Sequence, residues 1–169
     1  MGGAEGAVVV GVDGSEHADA ALRYAVTEAA LRGTRVVAVV AWGPKNIFGG
    51  YGILEDPDVV EHRLREQADA HVRRVHGTVP GGADVPVELE FRTGSAADVL
   101  VEVSRSASLL VVGRRGHGAF RSRLFGSVAL RCVLHASCPV TVVSAVGDPV
   151  DAAEATTSGP GPAWAHCRP

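Results

Sequence analysis

Three glycines and a serine in the second half of the chain have a spacing that suits phosphate binding. They read Gly113-x2-Gly116-x9-Gly126-Ser127. Glycine has no Cβ, so its backbone can take a positive φ and can let a ligand approach closely. Gly126 and Ser127 open a predicted helix, whose first N–H groups and positive dipole end attract an anion, and the serine hydroxyl adds a donor. The segment therefore predicts a polyphosphate site, with positive charge supplied by Arg114, Arg115, Arg121 and Arg123.

A second polar segment, Asp13-Gly14-Ser15, follows an apolar run near the start of the chain. Asp13 could be a phosphorylated nucleophile, as in haloacid-dehalogenase-like enzymes. Those enzymes need a second aspartate two residues later, and this chain has Ser15 there. Response-regulator receivers need neighbouring acidic residues, which Val10-Gly11-Val12 does not supply. Asp13 is therefore either a ligand-binding carboxylate or a plain turn residue before a helix N-cap at Ser15.

Patterns for catalysis and for metal binding are weaker. The sole lysine, Lys45, belongs to no P-loop sequence, and the chain contains no Gly-x-Ser-x-Gly element. No general base is evident beside Asp13, so the sequence favours binding over hydrolysis and leaves slow hydrolysis of a bound polyphosphate open. Cys132-x2-His135-x2-Cys138 has metal-like spacing but no fourth ligand. We therefore predict no metal site and interpret Cys132 as a core residue.

The apolar pattern predicts strands that must position these segments. Val8–Val12, Val36–Trp42 and Leu109–Val112 are short, unalternating runs rich in β-branched residues, as in strands covered on both faces. The run from Val85 to Phe91 alternates apolar with charged residues, which predicts a strand at the sheet edge with one wet face. A final strand, Val140–Val143, follows Pro139.

Helical patterns separate these strands. The predicted helices are one that starts after Ser15 and stops at Gly33, one with apolar positions from Val60 to Val75, one from Ser95 to about Ser106, and one from Ser127 to His135. The order predicts an α/β fold with an open, doubly wound, five-stranded and mainly parallel sheet that has helices on both faces. Ligands of such sheets bind at the carboxyl ends of strands where the strand order reverses. Both polar segments follow predicted strand ends.

Composition limits the function and the location. The chain has 169 residues, 46% of them hydrophobic and 21% charged, and a formal net charge of −3. This balance predicts no general attraction to nucleic acid or to an anionic membrane. No apolar run reaches the ~20 residues of a membrane span and the N-terminus lacks signal-peptide features, so we expect a cytoplasmic protein. Residues 1–146 are predicted to form one domain, and residues 147–169, with a Ser-Gly-Pro-Gly-Pro run, a disordered tail.

These residues together resemble the universal stress protein family. The glycine segment matches the ATP-binding signature of the family, and the resemblance extends from Val8 to Val143. It includes the end of the first strand, residues 11–15, and the last strand with its preceding Cys138-Pro139. The resemblance implies the strand order 3-2-1-4-5. Many members have Pro or Val where Gly11 stands, which leaves the fit of an adenine at this point open.

The resemblance also implies a ligand and an assembly. The site would bind ATP with Mg²⁺, with Asp13 and the backbone of Ala41 on the adenine side. Ribose and phosphates would be held by Gly113, Gly116, Gly126, Ser127 and Val128, and the expected nucleotide-binding set is completed by Gly11, Val12 and Arg115. Family members commonly form homodimers through the final strand, here Val140–Val143, and act as regulators in the stress response. A slow ATP hydrolase or phosphotransferase, and a partner-binding module that uses AMP or cyclic AMP, remain alternatives.

Overall fold

The computed structural model of this protein describes residues 4–42, 57–115 and 125–145. Within these ranges the elements are β1 Val8–Gly11, α1 Glu16–Arg32, β2 Val36–Trp42, α2 Pro57–His76, β3 Val87–Thr93, α3 Ala96–Val103, β4 Leu109–Gly113, α4 Ser127–His135 and β5 Val140–Val143. The predicted alternation of strands and helices is confirmed. Residues 43–56, between β2 and α2, and all of the predicted tail lie outside the described residues. Among the described residues, no helix has the length and apolarity needed to cross a membrane.

The five strands form one parallel sheet in the order β3-β2-β1-β4-β5. The central strand β1 pairs with β2 from Val8↔Val36 and with β4 from Val8↔Leu109. From β1 the chain moves outward to β2 and β3, and then returns to the other side of β1 to form β4. The predicted strand order and the edge position of β3 are confirmed. The order reverses between β1 and β4, so the two polar segments lie on either side of this switch point.

Each face of the sheet has its own apolar core. Val8 and Val10 belong to a cluster with α1 and α2 residues, whereas Val9 belongs to a cluster on the opposite face with α3 and α4 residues. All three of these valines are fully buried. Since both faces are covered, the inner strands are apolar at successive positions, which is why their sequences do not alternate.

β3 begins at Val87, two residues later than the alternation predicted. The Val85 side chain is buried, but its N–H donates to the Gly82 carbonyl at 3.0 Å within a turn. Pro86 has no N–H to donate to a neighbouring strand. Its carbonyl accepts from Val36 N–H at 2.9 Å, and the pairing of β3 with β2 starts there. The wet face of the strand is confirmed by the exposed Glu88.

The predicted cap of α1 at Ser15 is confirmed, and α3 begins with the same kind of cap at Ser95. The hydroxyl oxygen of Ser15 accepts from Ala18 N–H at 3.2 Å, and that of Ser95 accepts from Asp98 N–H at 3.4 Å. α1 stops at Gly33, which has the left-handed conformation with φ 63° and ψ 37°. α3 stops at Val103, before the predicted Ser106. The N–H groups of residues 105 and 106 bond to carbonyls three residues earlier, which tightens the chain out of the α-helix.

One buried hydroxyl joins α3 to the segment before β5. Ser104 is fully buried, and its hydroxyl donates to the Val101 carbonyl at 2.6 Å. The same oxygen accepts from Ser137 N–H at 2.9 Å. The end of α3 is thereby attached to the chain that leads into the last strand.

We expect Ser104→Ala to lower the free energy of unfolding by about 1–2 kcal/mol, because two hydrogen bonds of a buried group are lost. Ser106→Ala is the matched control, since the Ser106 hydroxyl is exposed and makes only one long bond of 3.4 Å to Val103. The control should change stability by less than about 0.5 kcal/mol. Urea unfolding curves of both variants measure the difference, and equal losses would contradict a linking role for Ser104.

Candidate nucleotide site

The two halves of the glycine segment lie side by side because Arg114 joins them through its backbone. The Arg114 carbonyl accepts from Gly126 N–H at 2.9 Å, although the two residues are twelve positions apart. The Arg114 N–H donates to the Val143 carbonyl at 2.7 Å. The end of β4 is thus fixed to the start of α4 on one side and to the end of β5 on the other. Gly116, Arg121 and Arg123 lie outside the described residues.

The N-terminus of α4 has no side-chain cap among the described residues. Gly126 is the N-cap residue, with φ −68° and ψ 156°, and makes no side-chain hydrogen bond. Its carbonyl accepts the first helical bond, from Leu130 N–H at 3.0 Å. The N–H groups of the first turn, which include those of Ser127 and Val128, therefore point out of the helix end. In α1 and α3 a serine hydroxyl oxygen accepts from such a group, whereas Gly126 has no side chain to do so. Ser127 is exposed beside them.

Asp13 is held in a turn by the residue that caps α1. One of its carboxylate oxygens, Oδ1, accepts from Ser15 N–H at 3.0 Å and from the Ser15 hydroxyl at 2.6 Å. Gly14, between them, has a φ of 80°, which a residue with a side chain rarely adopts. The exposed carboxylate therefore has a fixed orientation at the carboxyl end of β1.

The backbone of Ala41 is directed toward the same end of β1. Successive residues of β2 turn their backbone groups to opposite neighbours. The Trp42 carbonyl accepts from Gly94 N–H on the β3 side at 2.8 Å, whereas the Val39 carbonyl accepts from Val12 N–H on the β1 side at 2.9 Å. The backbone N–H and C=O of Ala41 point toward β1, as those of Val39 do, but the pairing of β1 with β2 ends at Gly11↔Val39. Ala41 thus presents one donor and one acceptor next to the Asp13 turn.

Position 113 is occupied by glycine for a different reason from the one that the sequence suggested. Positive φ values in the described residues occur at five glycines, and Gly113 is not among them, so that expectation was wrong. A Cβ on Gly113 would lie 2.8 Å from the backbone carbon of His17 and 2.9 Å from its oxygen. The missing side chain lets the first turn of α1 pack against the end of β4. His17, which the sequence did not single out, is therefore part of the site's framework.

Gly11 and Val12 also serve the packing of the sheet. A Cβ on Gly11 would lie 2.9 Å from a terminal methyl carbon of Leu100, on α3. Val12 is buried, and its N–H belongs to the pairing with β2. Val128 is partly buried in the α3/α4 cluster. These three residues pack the sheet against its helices, whereas Asp13, Ala41 and Ser127 offer polar groups near the carboxyl ends of the central strands.

Three arginines lie near the site among the described residues. Arg114 and Arg115 are partly buried at the end of β4. Arg131, one turn into α4, forms an ion pair of 2.5 Å with Asp98 at the start of α3. The charge of Arg131 is therefore balanced by a protein carboxylate, and the cations at the base of the glycine segment are Arg114 and Arg115.

The residues of the cysteine–histidine pattern lie on α4 and just before β5. Within the described ranges no group of three or more His, Cys, Asp or Glu side chains could hold a metal ion. Cys132 is fully buried, and burial, with a smaller effect from Cys138, raises the pKa of its thiol to about 11. Burial also raises the pKa of Cys138. Cys132 also belongs to the apolar cluster of α3 and α4, so its interpretation as a core residue is confirmed.

Comparison with known proteins shows which family the chain belongs to. The chain matches the Universal stress protein family over residues 6–144. It belongs to the universal stress protein family. A universal stress protein of Mycolicibacterium smegmatis is 34% identical over 141 residues, which cover 80% of this chain and 47% of the relative. The chain spans about half the length of the curated relatives it matches.

Solved universal stress proteins have the same fold. One, in complex with cAMP, is 26% identical with a TM-score of 0.58, over 84% of this chain and 98% of that protein. Another, from Archaeoglobus fulgidus in complex with dAMP, is 28% identical with a TM-score of 0.53, over 83% of this chain and 98% of that protein. Both neighbours bind an adenine nucleotide.

The two packing glycines of this universal stress protein should respond differently to an added methyl group. We expect Gly113→Ala to cost about 1–3 kcal/mol, because its Cβ meets the rigid backbone of His17. Gly11→Ala should cost less, because its Cβ meets the end of the Leu100 side chain, which can change rotamer. Urea unfolding midpoints rank the two variants. A Gly113→Ala protein as stable as the parent would refute the close packing of α1 on β4.

Proposed function

We propose that this protein is an ATP-binding regulator that acts in the cytoplasm, as a homodimer, in the stress response. The observation that carries the proposal is the position of the α4 N-terminus, which Arg114 fixes against the end of β4 at the switch point of the sheet and which no described side chain caps. A helix terminus of this kind binds phosphate through backbone N–H groups and the helix dipole. The family membership of the chain and the adenine nucleotides bound by its neighbours support the same ligand class.

Each part of the nucleotide has a matching group in the site. Phosphate oxygens would accept from the N–H groups of Ser127 and Val128 and from the Ser127 hydroxyl, with Arg115 supplying positive charge. The adjacent N–H and C=O of Ala41 match the N1 acceptor and N6 donor of adenine. Asp13, oriented by Ser15, would accept from a hydroxyl or amino group of the nucleoside.

Mg²⁺ would enter the site bound to the nucleotide. Since no cluster of metal-binding side chains exists in the described residues, Mg²⁺ would be carried in by phosphate oxygens, with the Ser127 hydroxyl as the nearest protein oxygen of α4. When bound, the ion would neutralise charge on the phosphates. The protein groups then have the task of orienting the nucleotide.

Binding without rapid hydrolysis fits the chemistry of the polar groups. Asp13 is the acidic side chain that β1 brings to the switch point, and its Oδ1 already accepts two hydrogen bonds. A general base needs an oxygen in reach of an attacking water. A single-turnover assay with radiolabelled ATP separates the alternatives: product that Asp13→Ala abolishes would support a hydrolase or phosphotransferase, and bound ATP without product supports a regulator.

AMP or cyclic AMP is the second candidate ligand, favoured by the complexes of the neighbouring proteins with cAMP and dAMP. One experiment ranks the nucleotides. Freshly purified protein is denatured, the released small molecules are identified by mass spectrometry, and calorimetry follows with ATP and Mg²⁺, AMP and cyclic AMP. We expect an adenine nucleotide in the released fraction and the tightest binding for ATP. Absence of any released or bound nucleotide would overturn the proposed function.

Removal of one backbone donor should test the phosphate site directly. Ser127 is the first residue of α4, and the extended Gly126 before it has the conformation that a residue preceding proline prefers. Ser127→Pro therefore removes the hydroxyl and the N–H while α4 stays formed, whereas Ser127→Ala removes the hydroxyl alone. We expect the dissociation constant for ATP to rise about fivefold in the alanine variant and more than about tenfold in the proline variant.

Calorimetry measures both constants, and circular dichroism with thermal unfolding checks that the helix and the fold are retained. Equal ATP affinity in the two variants would mean that the first N–H of α4 does not bind phosphate.

The dimer would form at the edge strand β5. Pro139 and Val143 turn their carbonyls toward β4, accepting from Leu110 at 2.9 Å and Arg114 at 2.7 Å. The backbone groups of Val140 and Val142 therefore point to the outer edge, where no described strand pairs with them. A second copy can add its own β5 about a twofold axis and satisfy both edges.

A line of exposed apolar side chains on α4 continues this edge. Leu130, Val133 and Leu134 are spaced for one helix face and are 49%, 52% and 65% exposed, and Phe125 just before the helix is 43% exposed. We call these four residues the α4 ridge. The opposite side of α4 packs on β5, since Ala129 and Cys132 share a cluster with Val140 and Val142. The ridge and the β5 edge together form a surface that a second copy would cover.

A charge on the α4 ridge should weaken the dimer. We expect Leu134→Glu to raise the dimer dissociation constant more than about tenfold, because the carboxylate would be buried without a partner. Leu31→Glu is the matched control, since Leu31 is 79% exposed near the C-terminal end of a different helix, α1. Sedimentation equilibrium of both variants measures the constants. Equal dimerisation by Leu134→Glu and the parent would exclude the ridge from the interface.

A further inference from the structure

The sheet has a second outer edge, at β3. Among the described residues no strand pairs with β3 on the side away from β2. Gly94 N–H donates to the Trp42 carbonyl of β2, so the residues of even number along β3 turn their backbone groups to β2. The backbone N–H and C=O groups of the odd-numbered residues therefore point outward, and these residues are Val87, Leu89, Phe91 and Thr93. An open edge with four such residues is a template for an added strand.

An apolar row of side chains runs along one face of this edge. Val87 and Leu89 are partly buried and pack against the cluster formed with α1 and α2. Phe91 continues the row beneath Arg65 of α2, whose guanidinium carbon is 4.5 Å from the centre of the ring. Because all three side chains are covered only in part, an added strand would bury more of their apolar surface.

A charged row occupies the opposite face of the same strand. Its members are Glu88, Glu90 and Arg92, and their side chains are 50%, 29% and 40% exposed. Arg92 Nε donates to Glu90 Oε1 at 2.8 Å, so the middle carboxylate is already paired within the chain. Glu88 lies 3.5 Å from Arg35 and keeps half of its surface in solvent. The row therefore has an accessible acid at one end and an accessible base at the other.

We propose that the β3 edge binds the β3 edge of a second copy, antiparallel about a twofold axis at Glu90. In this register each Glu88 lies opposite the partner's Arg92, in the closely spaced kind of cross-strand pair. The outward residues form the hydrogen-bonded pairs, with Leu89 opposite the partner's Phe91. The two Glu90 side chains meet at the axis, where each is neutralised by the arginine of its own chain. The edge is therefore complementary to itself in charge and in apolar surface.

The charges also select this register over its neighbours. If the axis moved to Leu89, Glu88 would lie opposite the partner's Glu90, and like charges directly opposite one another are destabilising. If it moved to Phe91, Glu88 would lie opposite the partner's Gly94, which is beyond the end of the strand. The axis at Glu90 is the one that pairs every residue of β3 with a residue of the partner's β3.

Helix α2 lies over the same edge and does not add a block of one charge. Arg65 forms an ion pair of 2.9 Å with Glu61, and Arg73 forms one with Asp69. The twofold axis would bring the α2 helices of both copies to the same face of the joined sheet. Since acids and bases alternate along each helix, their approach brings no net repulsion.

This contact is separate from the β5 dimer and does not rest on the proposed nucleotide-binding function. The two edges lie on opposite sides of the sheet. With both edges occupied, dimers formed at β5 would join through β3 into longer assemblies.

The experiment is sedimentation equilibrium of the full chain with Leu134→Glu as the background, so that association through β5 is weakened. We expect this protein to form a concentration-dependent dimer. Glu88→Arg should raise its dissociation constant more than about tenfold, because two like charges then face each other at both ends of the strand pair. Glu5→Arg is the matched control, with the same change of charge at an exposed residue before β1, and should change the constant less than about twofold.

A mixing experiment tests the register itself. Arg92→Glu should also weaken association, because acids then face Glu88 of the partner. In an equimolar mixture of the Glu88→Arg and Arg92→Glu proteins, opposite charges meet at both positions, so the mixture should associate more than about tenfold more tightly than either protein alone. Circular dichroism and thermal unfolding check that both variants keep the fold.

Three results would overturn the proposal. One is a Leu134→Glu protein that stays monomeric up to the highest soluble concentration. Another is a dimer that Glu88→Arg and Glu5→Arg affect equally, and the third is a mixture of folded variants that associates no better than its components. Calorimetry with AMP on the same proteins reports nucleotide binding separately, so a failure of the β3 contact is distinguished from a failure of the proposed function.

Discussion

The site depends on two backbone hydrogen bonds made by Arg114. Its carbonyl accepts from Gly126 N–H at 2.9 Å, and its N–H donates to the Val143 carbonyl at 2.7 Å. These bonds bring a helix N-terminus to the end of β4, at the one place where the strand order of the sheet reverses. Because both bonds use the main chain, the side chain of Arg114 takes no part in them. The position of the α4 N-terminus is therefore set by the topology of the sheet.

Close packing of helices against strand ends is the second constraint on the site. Gly113 has no Cβ because the first turn of α1 lies against it at His17, and Gly11 faces Leu100 of α3 in a similar way. This packing places the N-terminus of α1, with the Asp13 turn before it, next to the end of β4. Glycines that the pattern associates with a ligand thus shape the ligand site indirectly, by letting two helices approach the sheet.

Helix α4, whose N-terminus lies at the end of β4, also presents an apolar face to solvent. The helix is short, no described side chain caps it, and it is held by the burial of Ala129 and Cys132 beneath it. Its inner side packs on β5, at whose outer edge no described strand pairs with Val140 and Val142.

The sequence by itself determined the elements, since the period of apolar residues and the caps are local properties. Unalternating runs predicted the buried strands, Ser15 and Gly33 bounded α1, and the run before Phe91 predicted the edge strand, although Pro86 delayed its start. Tertiary structure alone decided why Gly113 is a glycine, that Ala41 turns its backbone toward β1, and that Arg114 joins β4, α4 and β5. These features depend on contacts between residues far apart in the chain, and no local pattern encodes the distance between a strand end and the helix that packs on it.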